Sequence, residues 1–150
     1  MTEFRIVLPE VHDAETQRVV EWLSQCKQMQ RPPEAAARLL TFIVKLHRTR
    51  TPFPTRGAVA KHLNIAVPTV NIVISNQIAL GRLRWVVETT RGFVKQRPTV
   101  VQHKFIIPVE PDLIKVVEDA EAAALSDAER EREAEREQNE KLANREPGSQ

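Results

Sequence analysis

Residues 55–81, TRGAVAKHLNIAVPTVNIVISNQIALG, have to hold two helices with only a short turn between them. Thr55 is suited to an N-cap, because its hydroxyl can accept a backbone N–H that the first turn leaves unpaired. Residues 56–64 then turn Val59, Ala60 and Leu63 inward. Ile65-Ala66-Val67 form the turn, and Pro68 takes the first helical position, where a missing N–H costs nothing. Gly81 supplies the left-handed residue that ends the second helix. Spacings of three and four put Val70, Val73, Ile74, Ile78 and Gly81 toward a core. Thr69, Asn71, Ile72, Ser75, Asn76 and Ala79 are left on the outward face.

The flanking segments follow helical and then alternating periods. Residues 3–9, EFRIVLP, are extended, either an edge strand or an arm. From Asp13, a candidate N-cap, Val19, Val20, Leu23 and Met29 mark a helix that Arg31-Pro32-Pro33 stops. Pro33 opens another, with Ala36, Leu39, Leu40, Ile43, Val44 and His47 on one stripe. TRTPFPT (49–55) is a stiff connector, since residues before proline avoid the helical region. After Gly81, RLRWVVE (82–88) reads as a strand, TTRG (89–92) as a turn, and FVKQR (93–97) as the return, interrupted at Pro98 before a β-rich stretch at 99–109. Trp85 and Phe93 are expected to anchor this hairpin on the core. A last helix has Leu113, Ile114, Val117, Ala120, Ala124 and Leu125 as its apolar stripe. Beyond it the chain is nearly all charge, which predicts a solvated or fraying helix and then a disordered tail. The expected organisation is an N-terminal arm and helix at 1–31, a central domain of helices and hairpin at 32–110, a helix at 111–128 and the charged tail at 129–150.

A net charge of +2 conceals a segregation by segment. Residues 45–104 carry eleven Lys and Arg against the single acid Glu88, whereas 105–150 carry six against thirteen. So many like charges in sixty residues repel one another unless a polyanion sits nearby.

The helix, turn, helix and basic hairpin resemble the winged helix-turn-helix of MarR- and GntR-type bacterial regulators. The matching residues are Val59-Ala60, Leu63, Asn64-Ile65, Pro68-Thr69-Val70 and Gly81, within residues 54–97. Asn64 stands where glycine is common, and asparagine also tolerates a left-handed conformation. Gln77 stands where these families place a core leucine, a loss for which Ile78 and Leu80 are expected to compensate. The second helix lacks the Arg or Lys usual there. The resemblance implies a mainly α fold with a small β-hairpin wing and flanking helices, binding double-stranded DNA. Thr69, Asn71, Ile72, Ser75 and Asn76 would then read bases: amides can pair with adenine edges, hydroxyls serve several bases, and an isoleucine can meet a thymine methyl. Arg56, Lys61, Arg82, Arg84, Arg91, Lys95 and Arg97 would grip phosphates, which fixes register without reading sequence. Lys45, Arg48 and Arg50 belong to a helix that can face elsewhere.

The expected activity is sequence-specific DNA binding by a bacterial or mobile-element transcription regulator. It would act as a homodimer, as many such proteins do to meet two half-sites. The helices at 13–30 and 111–128, or the FRIVLP arm, are the expected dimer elements. Two alternatives stand: a plasmid or phage replication, partition or conjugation accessory, and a winged-helix protein–protein scaffold docking through its acidic tail. No enzyme, cofactor or small-molecule effector is expected. His12, His47, His62 and His103 have no metal-like spacing with one another or with Cys26, and the four glycines form no phosphate loop. No apolar run is long enough to span a bilayer, and no basic signal segment follows Met1. A lone cysteine favours a reducing compartment, so a cytoplasmic, nucleoid-associated location is expected.

Overall fold

A computed structural model describes residues 7–26 and 32–144, so the arm at 1–6, Met29 and the last six residues lie outside it. In chain order the elements are α1 (Asp13–Gln25), α2 (Pro33–Arg48), α3 (Arg56–Leu63), α4 (Val67–Ala79), β1 (Leu83–Val94), β2 (Arg97–Pro108) and α5 (Pro111–Asn144). The chain is thus mainly helical, with one two-stranded antiparallel hairpin.

α2 is the pillar. Ten of its sixteen residues are buried, including Ala35, Ala36, Ala37, Leu39, Leu40, Phe42 and Ile43, so neighbours cover it on several sides rather than along one stripe. α1, α4, α5 and β2 all pack on it. Its small residues let neighbours approach closely, while Phe42, fully buried, fills the space against them. His47, expected on the stripe, is exposed in the last turn instead.

Three helices end in the same way, and the residue that permits it differs each time. At the end of α4, Arg82 N–H bonds Gln77 O at 3.0 Å and Gly81 N–H bonds Ile78 O at 3.0 Å, with Gly81 at φ 75°. That pair of bonds satisfies carbonyls the helix leaves orphaned. At the end of α3, Ile65 N–H reaches Ala60 O at 3.0 Å and Asn64 sits at φ 56°. At the end of α2, Thr51 N–H reaches Leu46 O at 3.0 Å and Arg50 sits at φ 52°. The Thr55 hydroxyl caps α3 as expected, accepting Ala58 N–H at 3.3 Å. The turn lies one residue earlier than the sequence suggests: Asn64-Ile65-Ala66 make it, Val67 opens α4, and Pro68 is the second helical residue. The axes of α3 and α4 bend by 106° across it.

The hairpin is one continuous ribbon, not the interrupted pair expected from TTRG and Pro98. Leu83 pairs with Pro108 and the register runs unbroken to Val94 and Arg97. The turn is Lys95-Gln96, at φ 51° and 65°, which is the two-residue geometry whose twist suits a hairpin. Phe93 opposes Pro98 one step from the closing pair, a position where an antiparallel ladder makes no hydrogen bond, so the proline is tolerated. The same alternation puts Pro108 at another such position and Arg82–Val109 at a bonded one, where Val109 N–H donates to Arg82 O at 2.8 Å.

α5 holds the body through Leu113, Val117 and Ala120, all buried against it. It then continues as helix to Asn144, through most of the segment expected as a solvated or fraying helix and then a disordered tail. Every residue from Glu129 to Asn144 is exposed. Alternating Glu and Arg on a helix can pair at i,i+4 for about 0.2–0.5 kcal/mol each, and none of these residues has to be buried.

Candidate nucleic-acid interface

α4 presents its two faces much as its phase requires. Val70, Val73, Ile74 and Gln77 are buried, while Ile72 is 54 % exposed and Ser75, Asn76 and Ala79 are exposed. Thr69 and Asn71 are half-buried, and Asn71 Oδ1 is enclosed without a hydrogen-bond partner. Two expectations need correction. Gly81 is exposed, serving as the left-handed end of the helix rather than as a core contact. Gln77 itself fills the core position, with no exposed surface, while Ile78 packs against the core partly buried, as its phase requires.

The buried amide of Gln77 explains a third correction. Arg82, expected among the phosphate contacts, is buried and held by three partners. Its Nη1 donates to Gln77 Oε1 at 3.2 Å, its Nε lies 2.9 Å from Glu110 Oε2, and its guanidinium stacks over the Trp22 ring at 5.2 Å. One side chain therefore joins the end of α4, the entry to α5 and the face of α1. A cation so placed is withdrawn from solvent, and turning it toward a phosphate would break those contacts.

Lys45 is likewise turned inward, and Arg48, though exposed, is paired with an acid. Lys45 Nζ lies 2.7 Å from the buried Glu15 Oε2, an ion pair rather than an aligned hydrogen bond, and donates to Glu10 O at 2.8 Å. Arg48 makes a two-pronged contact with Glu121 at 3.1 and 2.8 Å. The hydrogen bond to Arg48 holds the Glu121 carboxyl below its usual range, and the same bond raises the Arg48 pKa.

The other eight cations of the basic segment are exposed and make no ion pair with any described residue: Arg50, Arg56, Lys61, Arg84, Arg91, Lys95, Arg97 and Lys104. Arg56 and Lys61 belong to α3, and Arg84, Arg91, Lys95, Arg97 and Lys104 to the hairpin and its turn. Arg56 and Lys104 come together across a cleft of about 570 Å³, walled by Phe53, Trp85 and Val87. That cleft forms because Phe53 N–H donates to Lys104 O at 2.9 Å and Phe53 meets Trp85 edge-on at 5.6 Å, which ties the connector to the ribbon. Lys104 was not expected from sequence at a phosphate, and Arg50 was set aside with Lys45 and Arg48 as part of a helix that can face elsewhere; the signal for Lys104 was membership of a segment with one acid, Glu88.

Beyond its root the ribbon is uncovered. Trp85 is half-buried, but Phe93, expected as a core anchor, is 79 % exposed, and Val94 and Val100 are 56 % and 62 % exposed. The buried core ends at Leu83 and Ile106, and Trp85 is the strand residue nearest the turn that packs against it. Among the described residues no group of three His, Cys, Asp or Glu is placed to hold a metal, and no single helix is long and apolar enough to cross a membrane. No known protein-family model, curated protein or solved structure matches the chain.

Proposed function

We propose that the chain is a winged helix-turn-helix protein that binds double-stranded DNA with sequence preference, acting as a dimeric transcription regulator. The observation that carries the reading is the eight solvent-facing cations with no acid partner among the described residues, seven of them on the elements that flank a helix whose exposed face is neutral and polar. Cations on α3 and the hairpin would meet phosphates, while Ser75, Asn76, Ile72, Thr69 and the half-exposed Asn71 would face base edges in the major groove. The 106° bend between α3 and α4 supports it, since helix-turn-helix pairs cross at about 90–120°. Dimerisation would give two recognition helices for two half-sites.

The test is selection of bound duplexes from a random pool, followed by titration of the selected duplex at increasing salt. Log affinity is expected to fall linearly with log salt by about 0.9 for each phosphate neutralised. Asn71→Ala with Asn76→Ala should cost about 1–3 kcal/mol on the selected duplex and little on a scrambled one. Equal affinity for every duplex at about 0.2 M salt would leave only a nonspecific binder and defeat the regulator reading.

A further inference from the structure

The apolar tip of the hairpin has no use in a ribbon that only touches phosphates. Phe93 stands directly opposite Pro98, and Val100 follows on the same face of the ribbon, opposite Arg91. Val94 and Val101 lie on the other face. Large apolar side chains are therefore exposed on both faces of an unsupported ribbon, an arrangement that soluble surfaces normally avoid. Lys95 and Arg97 flank the same tip, and Glu88 is the one acid on either strand.

A partner for such a tip must be polyanionic on its outside and apolar on two walls within. The DNA minor groove has that chemistry: deoxyribose rings form its walls and phosphates its rims. It also opens when an apolar side chain enters a base step, and proteins that use it often wedge Phe or Pro between bases and kink the duplex. We infer that the Phe93–Pro98 pair is a wedge that enters the minor groove beside the site read by α4, unstacks one base step and bends the DNA. Val94, Val100 and Val101 contact the groove walls, and Arg91, Lys95 and Arg97 hold the phosphates on either side. This inference rests on the DNA-binding reading above. The ribbon is long enough for the task, since the seven residues from Glu88 to Val94 extend it by roughly 20 Å at about 3.3 Å each. Flexible pyrimidine–purine steps should be preferred at the wedge position.

The experiment uses the full chain and a duplex of about two helical turns with one central TA step, 2-aminopurine replacing the adenine there, and donor and acceptor dyes at its ends. Binding of the wild type should raise 2-aminopurine fluorescence several-fold and shorten the end-to-end distance, as expected for a kink of about 20–90°. Phe93→Ala should abolish both signals yet bind within about tenfold of wild type, because the cations and α4 are untouched. Phe93→Leu should retain the kink, and circular dichroism melts should be unchanged in both variants, since Phe93 is 79 % exposed and lies outside the core. A kink that survives in Phe93→Ala, or wild-type binding without unstacking, overturns the wedge and leaves DNA binding standing. Failure to bind any duplex defeats the underlying reading instead. Tighter binding to anionic lipid vesicles than to DNA, lost in Phe93→Ala, would assign the tip to a membrane surface and likewise overturn the wedge.

Discussion

Arg82 and Arg84 are two residues apart and do different work. Arg82 is buried against Gln77, Glu110 and Trp22, while Arg84, one step along the ribbon, is exposed. Removing Arg82 strands a half-buried carboxylate and the acceptor of a buried amide whose Nε2 already lacks a partner. Arg82→Ala is accordingly expected to lower stability by about 2–4 kcal/mol, measured by urea unfolding. Arg84→Ala should leave stability within about 0.5 kcal/mol and reduce the salt slope of DNA binding by about one. Sequence could not separate the two, because the partner that takes Arg82 out of solvent, Glu110, is 28 positions away and the third, Trp22, is 60 away on α1.

At the scale of elements, α5 is fixed to α2 by the Arg48–Glu121 pair as well as by its apolar stripe. The Glu121 carboxyl is held below its ordinary value of 4.5, so the folded state binds its proton less readily than the unfolded state does. The stabilisation is thus complete above that ordinary value and is lost as pH falls through the lower folded one. Both side chains are partly solvated, which limits the effect. Glu121→Gln should cost about 0.2–1 kcal/mol at neutral pH, and the gap to wild type should close on acidification below about pH 4. The punctuation of the helices was readable, because Thr55, Asn64, Pro68 and Gly81 each mark an end by a property of the single residue. The hairpin turn was not. Gly92 in TTRG advertised a turn that it does not make, while Lys95-Gln96 adopt positive φ with no glycine. Register decided it instead: only a turn at 95–96 pairs Leu83, Trp85 and Ile106 on the one face that meets the core. Phe93 was misjudged for the same reason, since alternation tells which face a residue takes but not how far along the strand the core extends.

For the whole molecule, charge is distributed by element. The basic hairpin and α3 stand apart from an acidic α5 that, at about 1.5 Å per residue, is about 50 Å long and runs well past the last buried contact at Ala120. Helix or disorder at 129–144 was not decidable from composition, because the Glu–Arg alternation that pairs along a helix is also what keeps a chain from collapsing. Among the described residues, truncation after Ala128 removes no buried side chain, and it should change unfolding free energy by less than about 0.5 kcal/mol. If the acidic extension shields the basic face, the shortened chain should bind duplex more tightly at low salt and lose the advantage as salt rises. The placement of the aromatic residues has a practical consequence. The chain has no tyrosine and two tryptophans, so its ultraviolet emission comes from two known places. Trp22 lies under the guanidinium that joins three elements, and Trp85 forms a wall of the cleft at the ribbon's root. With either one replaced by phenylalanine, the other becomes an unlabelled optical reporter, one for loosening of the joint and one for whatever closes over the root of the hairpin.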